Sequence, residues 1–397
     1  MAFFDPTRPT YLANPYPSLA ALRKQEPVHW SIGLKAWVPT RFKECSEVLH
    51  DTRRFTSDPS LTTGARAEAI TAHRASMPLG SVPHLGSTSG EAHRAIRRLV
   101  NPVFTASAAR VFEPVIRGLI TDALAALPLS GTFEFMATFA DPLPKRVMAA
   151  AIGCPPADSQ RLHTALNVIE VTRSNARPSA AHIAEAESAR AVAAEVLAPL
   201  MNGVLAPASV LGALMPGGES ELSVAEITSI AAQIATVGAD PTTGALANSM
   251  KALAANPEAA CALRENPEKM HVAVHELLRY DSPSHIVPRF AAIDTELGGK
   301  RVRRGDAVLA MVGAANRDPA VFSNPDKLDI ERDARRQLGF GQGEHICLGA
   351  PLALMILEMS LNGLLARFER FELAEPPEYG PSVQLRVPDR LVLRCGW

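Results

Sequence analysis

The chain has 397 residues, a formal net charge of −1 and 47% hydrophobic side chains, ample for a large buried core. So little net charge gives no global field for nucleic acid or an anionic membrane. Aromatic residues are few, at 5%, which with abundant alanine favours helix over sheet. The cysteines, Cys45, Cys154, Cys261, Cys347 and Cys395, are scattered without a CxxC pair, so neither a disulfide framework nor a zinc site is indicated. A reducing cytoplasm follows as the expected location.

The first residues lack the basic start and apolar run of a signal peptide. The longest uncharged stretch, 196–218, is interrupted by Pro199, Gly203, Pro207 and Pro216 and does not read as a membrane span. "HWSIGLKAWVPTRFKECSEVL" predicts a short hairpin leading into a helix. Residues 57–90 are rich in glycine and serine and are expected to be loop, and a loop of that length is usually functional. From about 91 to 280 the pattern is helical, broken at "PLSG", "GCPPADS" and "MPGGES". One long helix is predicted from about 223 to 250, with Ser223 and Glu226 as a capping box and a nearly charge-free, buried body. Pro241 lies inside it, deleting one amide donor and clashing with the carbonyl of Val237, so a kink is expected. Short β-like runs follow in "HIVPRFAAI", "TELGGKRV" and "DAVLAMVGAA", then a polar connector, a glycine-rich loop at 340–349, and a final helix to about 368. The fold class expected is mostly α with a minor β part, a single domain over 1–397.

Cys347 ends the glycine-rich loop. Gly341, Gly343 and Gly349 let the backbone pass close to a group or take positive φ. The amide end of the following helix favours a thiolate at the sulfur. Such a thiolate could be a nucleophile, a redox sensor or a metal ligand, while the ordinary fate of a cytosolic cysteine is a small buried hydrophobe.

The string "FGQGEHICLG" goes further. Phe340, Gly341, Gly343, His345, Cys347 and Gly349 together resemble the haem-binding signature of the cytochrome P450 family, and further matches occur in the expected order along the chain. The resemblance implies haem b (iron protoporphyrin IX) with Cys347 as axial ligand, a thiolate that favours O–O cleavage on the opposite side of the iron. It implies Phe340 against the porphyrin and His93, Arg97, Arg289 and His345 on the propionates. His93 and Arg97, four apart on one helical face, suit two carboxylates. Glu276, Arg279 and Arg332 match the family's supporting ion network, and Gln337 stands where many relatives have His.

In the family the central helix carries Gly, an acidic residue and then Thr, whose hydroxyl helps deliver protons during oxygen activation. "VGADPTTGAL" keeps Gly238 and Asp240 but has Pro241 at the threonine position, followed by Thr242 and Thr243. One residue is about 100° around a helix. Thr242 therefore serves only after local unwinding. Otherwise substrate or water supplies the hydroxyl, or protonation is weakened in favour of peroxide-driven oxidation or oxidative coupling. Fatty-acid peroxygenases of the family place Arg before this Pro, and Asp240 argues against that chemistry. The surviving acid favours oxygen-dependent monooxygenation.

By resemblance the pocket draws on residues 60–90 and 165–180, on Gly238, Ala239, Ile286 and Val287, with Ser284 and His285 as polar contacts. A mid-sized, partly apolar metabolite is the expected substrate. With no reductase, flavin or iron–sulfur motif in the chain, electrons are expected from a separate ferredoxin or flavodoxin. Arg94 and Arg98 are placed nearer the proximal surface, where such a donor would dock. A cytoplasmic monomer with no membrane and no nucleic-acid partner completes the expectation. Two rival readings are a haem-binding sensor without turnover and a cysteine-nucleophile enzyme, the latter disfavoured by the propionate partners.

Overall fold

The Val224–Ala254 helix runs 31 residues and organises the molecule. Its start is fixed by the Ser223 hydroxyl, which accepts from the Glu226 amide while Glu226 accepts from the Ser223 amide. The helices Pro142–Ile152, Pro156–Ser174, Met270–Tyr280 and Ala350–Arg367 pack around it. Between Ile227 and Leu253, Val237 is the one exposed side chain. This computed structural model describes residues 4–77, 79–80, 82–174, 179–202, 208–216 and 220–396.

The minor β part is real and lies to one side. Strands Val28–Ser31, Ala36–Pro39, Ala307–Met311, Ile286–Ala291 and Phe55–Thr56 form one sheet in that order. Its pairings are antiparallel except Ala36–Pro39 with Ala307–Met311. Thr295–Leu297 and Lys300–Val302 form a hairpin turned by Gly298 and Gly299, both at positive φ. A three-stranded sheet joins Gly131–Glu134, Val392–Gly396 and Arg370–Leu373.

One expectation needs correction, and some strands were not foreseen. Residues 57–90 are not all loop, because "ARAEAITAHRA" forms the Ala65–Ala75 helix. Its residues are good helix formers, and Ala67 is fully buried against Ala36, Phe290 and Ala307. The strands after residue 368 were not anticipated. They are short, and Val392–Gly396, which pairs with Arg370–Leu373, has its other partner, Gly131–Glu134, more than 200 residues away in sequence. Finally, the helix stays α-helical through Pro241. The proline removes one backbone bond, to the Val237 carbonyl, without ending the helix.

The Ala350–Arg367 helix is long and apolar enough to cross a membrane by composition. Its residues Leu352, Ile356, Leu357, Leu361, Leu364 and Leu365 are instead buried in the main core, and it packs against Ala106–Ala126 and the long helix. It is a core helix.

Candidate active site

The loop before the Ala350–Arg367 helix owes its shape to two glycines. Gly341 and Gly343 have φ of 68° and 71°, a region closed to most L-residues. A Cβ on Gly343 would also lie 2.8 Å from the Leu49 carbonyl oxygen. The loop closes through the Cys347 amide, which donates to Phe340 O at 2.7 Å. Gly349 differs: its φ is −85°, and a Cβ there would meet nothing within 4 Å.

Cys347 is enclosed by protein, and burial pushes its thiol up against the opposing pull of the Gly349 amide, Arg97 and the Ala350 amide. Yet its side chain has accessible surface, as does its neighbour Ile346 at 48%. On the long helix, which packs against the helix following Cys347, Val237 is 51% exposed. A side chain enclosed by protein yet accessible marks a hollow at Cys347. Because burial outweighs the amides, a helix end alone does not hold this sulfur as thiolate; a bound cation would.

The rim of the hollow carries positive charge. His93 is buried on the Gly90–Val100 helix with Ile96 and Val100, and its ring lies 4.1 Å from that of His345. Arg97, one turn on, donates to Ile346 O at 2.8 Å. Arg289, on the sheet face set by its pairing with Val308, is 6% exposed. Its one side-chain hydrogen bond among the described residues is to Pro288 O, at 2.9 Å, and burial pulls its guanidinium down to about 10. Burial, aided by Arg289, His93 and Arg97, pulls His345 down to about 3. Glu344 Oε1 stands 3.5 Å from His93 Nδ1, and neither atom has a hydrogen-bond partner among the described residues. A buried guanidinium without a carboxylate is costly unless an anion completes it. Four basic groups converging beside a hollow that ends on a thiol therefore fit a group with an iron centre and two carboxylates, as haem has.

Behind the loop, Glu276 and Arg279 are fully buried and paired twice, at 2.6 and 2.8 Å. Arg332 Nε adds a third contact to Glu276 at 3.2 Å. Arg279 also donates to Asn316 O at 2.9 Å, while Asn316 Oδ1 accepts from the Leu338 amide at 2.7 Å. The network thus reaches the cysteine loop through Asn316. Gln337 accepts from the Gly339 amide, so its side chain also braces the loop entry.

On the long helix, side chains four apart share a face, and this sorts the expected distal residues. Gly238 faces the Pro142–Ile152 helix, where a Cβ would meet Met148 Cε at 2.8 Å. Thr242, one turn on, is buried and donates to Gly238 O at 2.9 Å. Ala239 is fully buried in the main core. Gly238, Ala239 and Thr242 therefore turn away from the face of Val237 and Pro241, and Thr242 is not brought round by unwinding. Asp240 is half-buried, and burial raises its carboxyl to about 6, tempered by Lys145 and augmented by Asp141 and Glu170. The residues the sequence reading missed are Val237 and Gln233, which sit at i−4 and i−8 from Pro241. That four-residue spacing is legible in the sequence.

Strand alternation corrects another pair. Ile286 is 4% exposed and packs with Leu19, Val38 and Met311, so it is core and not a pocket wall. Val287 shares the face of Arg289. His285 is buried, its ring 5.8 Å from that of Tyr16, and belongs to the buried ion cluster of Asp281, Lys251 and Arg386. Of the 165–180 segment, residues 175–178 lie outside the described residues. Arg94 and Arg98 are exposed as expected, but both pair with Glu91.

Comparison with known proteins matches residues 207–388 to the family model for cytochrome P450. Nocardicin C N-oxygenase of Nocardia uniformis subsp. tsuyamanensis is 32% identical, covering 95% of this chain and 94% of that protein. The biotin biosynthesis cytochrome P450 of Bacillus subtilis (strain 168) is 30% identical, covering 92% of each. Among solved structures, epothilone D-bound cytochrome P450epoK superposes with a TM-score of 0.90 at 25% identity, covering 99% of both chains.

Proposed function

We propose, from the premise that this chain belongs to the cytochrome P450 family and is a haem-iron enzyme of the monooxygenase type, that it oxygenates a mid-sized, partly apolar secondary metabolite using dioxygen. Thiolate-ligated haem b supplies the oxygen activation. Cys347 is the proposed ligand, with the Gly349 and Ala350 amides tempering the charge on its sulfur. His93, Arg97, Arg289 and His345 are proposed to orient the group through its two carboxylates, and Phe340 to pack against its plane. Glu276, Arg279 and Arg332 hold the loop in place without touching reactants.

The observation that carries the reading is the buried Arg289 guanidinium beside the Cys347 hollow, which has no carboxylate partner among the described residues. Asp240, raised to about 6, can hold a proton near neutrality and pass it toward the helix face of Pro241 and the freed Val237 carbonyl. Val287 and Val237 are proposed as apolar pocket walls. Electrons are proposed to come from a separate ferredoxin or flavodoxin docking near Arg94 and Arg98, and the protein is proposed to act as a cytoplasmic monomer.

One observation favours a second reading. With Pro241 in place of a hydroxyl and Thr242 tied to Gly238 O, no side-chain hydroxyl of these two residues faces the hollow, as a peroxide-driven or coupling enzyme would tolerate. The test is turnover with isotopically labelled dioxygen and a ferredoxin system. Label in the product, at near-stoichiometric oxygen use, is the expected result. Turnover on peroxide alone that is indifferent to Asp240→Asn would overturn it in favour of the second reading.

A further inference from the structure

Gln233, Val237 and Pro241 recur every four residues and form one stripe of the long helix. Val237 is exposed on the helix that packs against the one following Cys347, and Gln233 lies one turn before it. The Gln233 side chain is 8% exposed, and its Oε1 is buried with no hydrogen-bond donor among the described residues. Residues 82–86 close over this point. Ser229 Oγ donates to Val82 O at 3.4 Å, and the Gly86 amide donates to His84 Nδ1 at 3.2 Å. A Cβ on Gly86 would lie 2.3 Å from Gln233 Nε2 but 3.6 Å from its Cδ. Glycine there makes room for the amide nitrogen, and the oxygen lies on the far side of the amide.

Buried polar atoms in native proteins are nearly always paired. A buried amide whose nitrogen is seated against a fitted glycine, on the stripe of Val237 and Pro241, leaves its oxygen as an acceptor lacking its donor. We infer that Gln233 is a specificity-determining residue whose Oε1 accepts a hydrogen bond from a hydroxyl or N–H of the substrate. That donor sits two helical turns from Pro241, about 12 Å along the axis. The substrate is therefore not a plain hydrocarbon or fatty acyl chain at that end: it carries a donor remote from the carbon oxidised. A missing partner at such a site discriminates more strongly than a missing methylene. This inference rests on the haem reading above.

The test uses 1-alkylimidazoles, whose ring nitrogen coordinates ferric haem, in chain-length series ending in methyl, hydroxyl or methyl ketone. Affinity is read from the Soret shift of the holoenzyme, without turnover. At one chain length, the hydroxyl-to-methyl affinity ratio is expected to fall about tenfold in Gln233→Leu. It should stay within about twofold in Gln233→Glu, which keeps the acceptor. Gly86→Ala, which displaces the amide, should lower the same ratio while leaving the methyl series unchanged, and it serves should Gln233→Leu lose haem. A ratio unchanged in Gln233→Leu and Gly86→Ala at every length overturns the inference, as does a ketone series that responds like the hydroxyl series. A parent protein whose Soret band no imidazole shifts refutes the haem reading itself.

Discussion

Replacing Arg289 with leucine should move the stabilities of the haem-free and haem-bound protein in opposite directions. In the structure Arg289 is 6% exposed and, among the described residues, its guanidinium donates only to the carbonyl of its own neighbour Pro288. Burial pulls it down to about 10, which at about 1.4 kcal/mol per pKa unit is on the order of 3 kcal/mol of unfavourable charge burial. Leucine removes that cost, so haem-free Arg289→Leu should be as stable as its parent or more so, by up to about 3 kcal/mol. With haem present, each lost charge-assisted bond costs about 1.5–3 kcal/mol, so haem release should accelerate about 10- to 100-fold. Denaturant unfolding of the haem-free forms and transfer of haem to an acceptor globin measure the two effects. If Arg289→Leu destabilised both forms equally, the arginine's partner would be protein and the propionate argument would fail.

Three further outcomes follow from other parts of the site. Glu276→Gln leaves the fully buried Arg279 without its counter-charge and should cost about 3–5 kcal/mol in urea unfolding; a loss under about 1 kcal/mol would show the network to be dispensable. Asp240 titrates near 3.9 when unfolded and at about 6 when folded, so the folded form binds the extra proton between those values and stability falls as pH rises through that window. Asp240→Asn should therefore gain roughly 1–3 kcal/mol at pH 7 and nothing near pH 4, and a gain independent of pH would contradict the burial of its charge. Glu91 neutralises both Arg94 and Arg98, so Glu91→Gln should speed association with an acidic electron donor at low salt and Arg98→Glu should slow it; stopped-flow rates equal across the three proteins would remove this face as the docking surface.

Local signals carried most of the fold. The Ser223–Glu226 box, the Gly341 and Gly343 turns and the hairpin before Phe42 depend on neighbouring residues, and each formed where its sequence placed it. What depends on distant partners was not legible. The Val392–Gly396 strand sits between Arg370–Leu373 and the distant Gly131–Glu134, and the Ala65–Ala75 helix is anchored partly by Phe290 and Ala307, over 200 residues on. At the site, the family string and the matches elsewhere singled out Cys347 and the basic groups as expectations, but not which side chains of the long helix share the face of Pro241. Gly238 and Thr242 were drawn in because they flank Pro241 in sequence, whereas helical geometry selects Gln233 and Val237. Ile286 was misread for the same reason, since one step along a strand reverses the face. Nor could the string show that burial outweighs the helix end at Cys347, because that depends on everything packed around the sulfur.

The central claim is that Cys347 holds haem iron through a thiolate, and the reduced, carbon monoxide-bound absorption spectrum tests it most directly. The parent should show the red-shifted Soret band of a thiolate-ligated complex. Cys347→Ser should lose that band, while Cys154→Ser and Cys261→Ser keep it. A band that survives Cys347→Ser, or that disappears with either of the other two cysteines, would contradict the account.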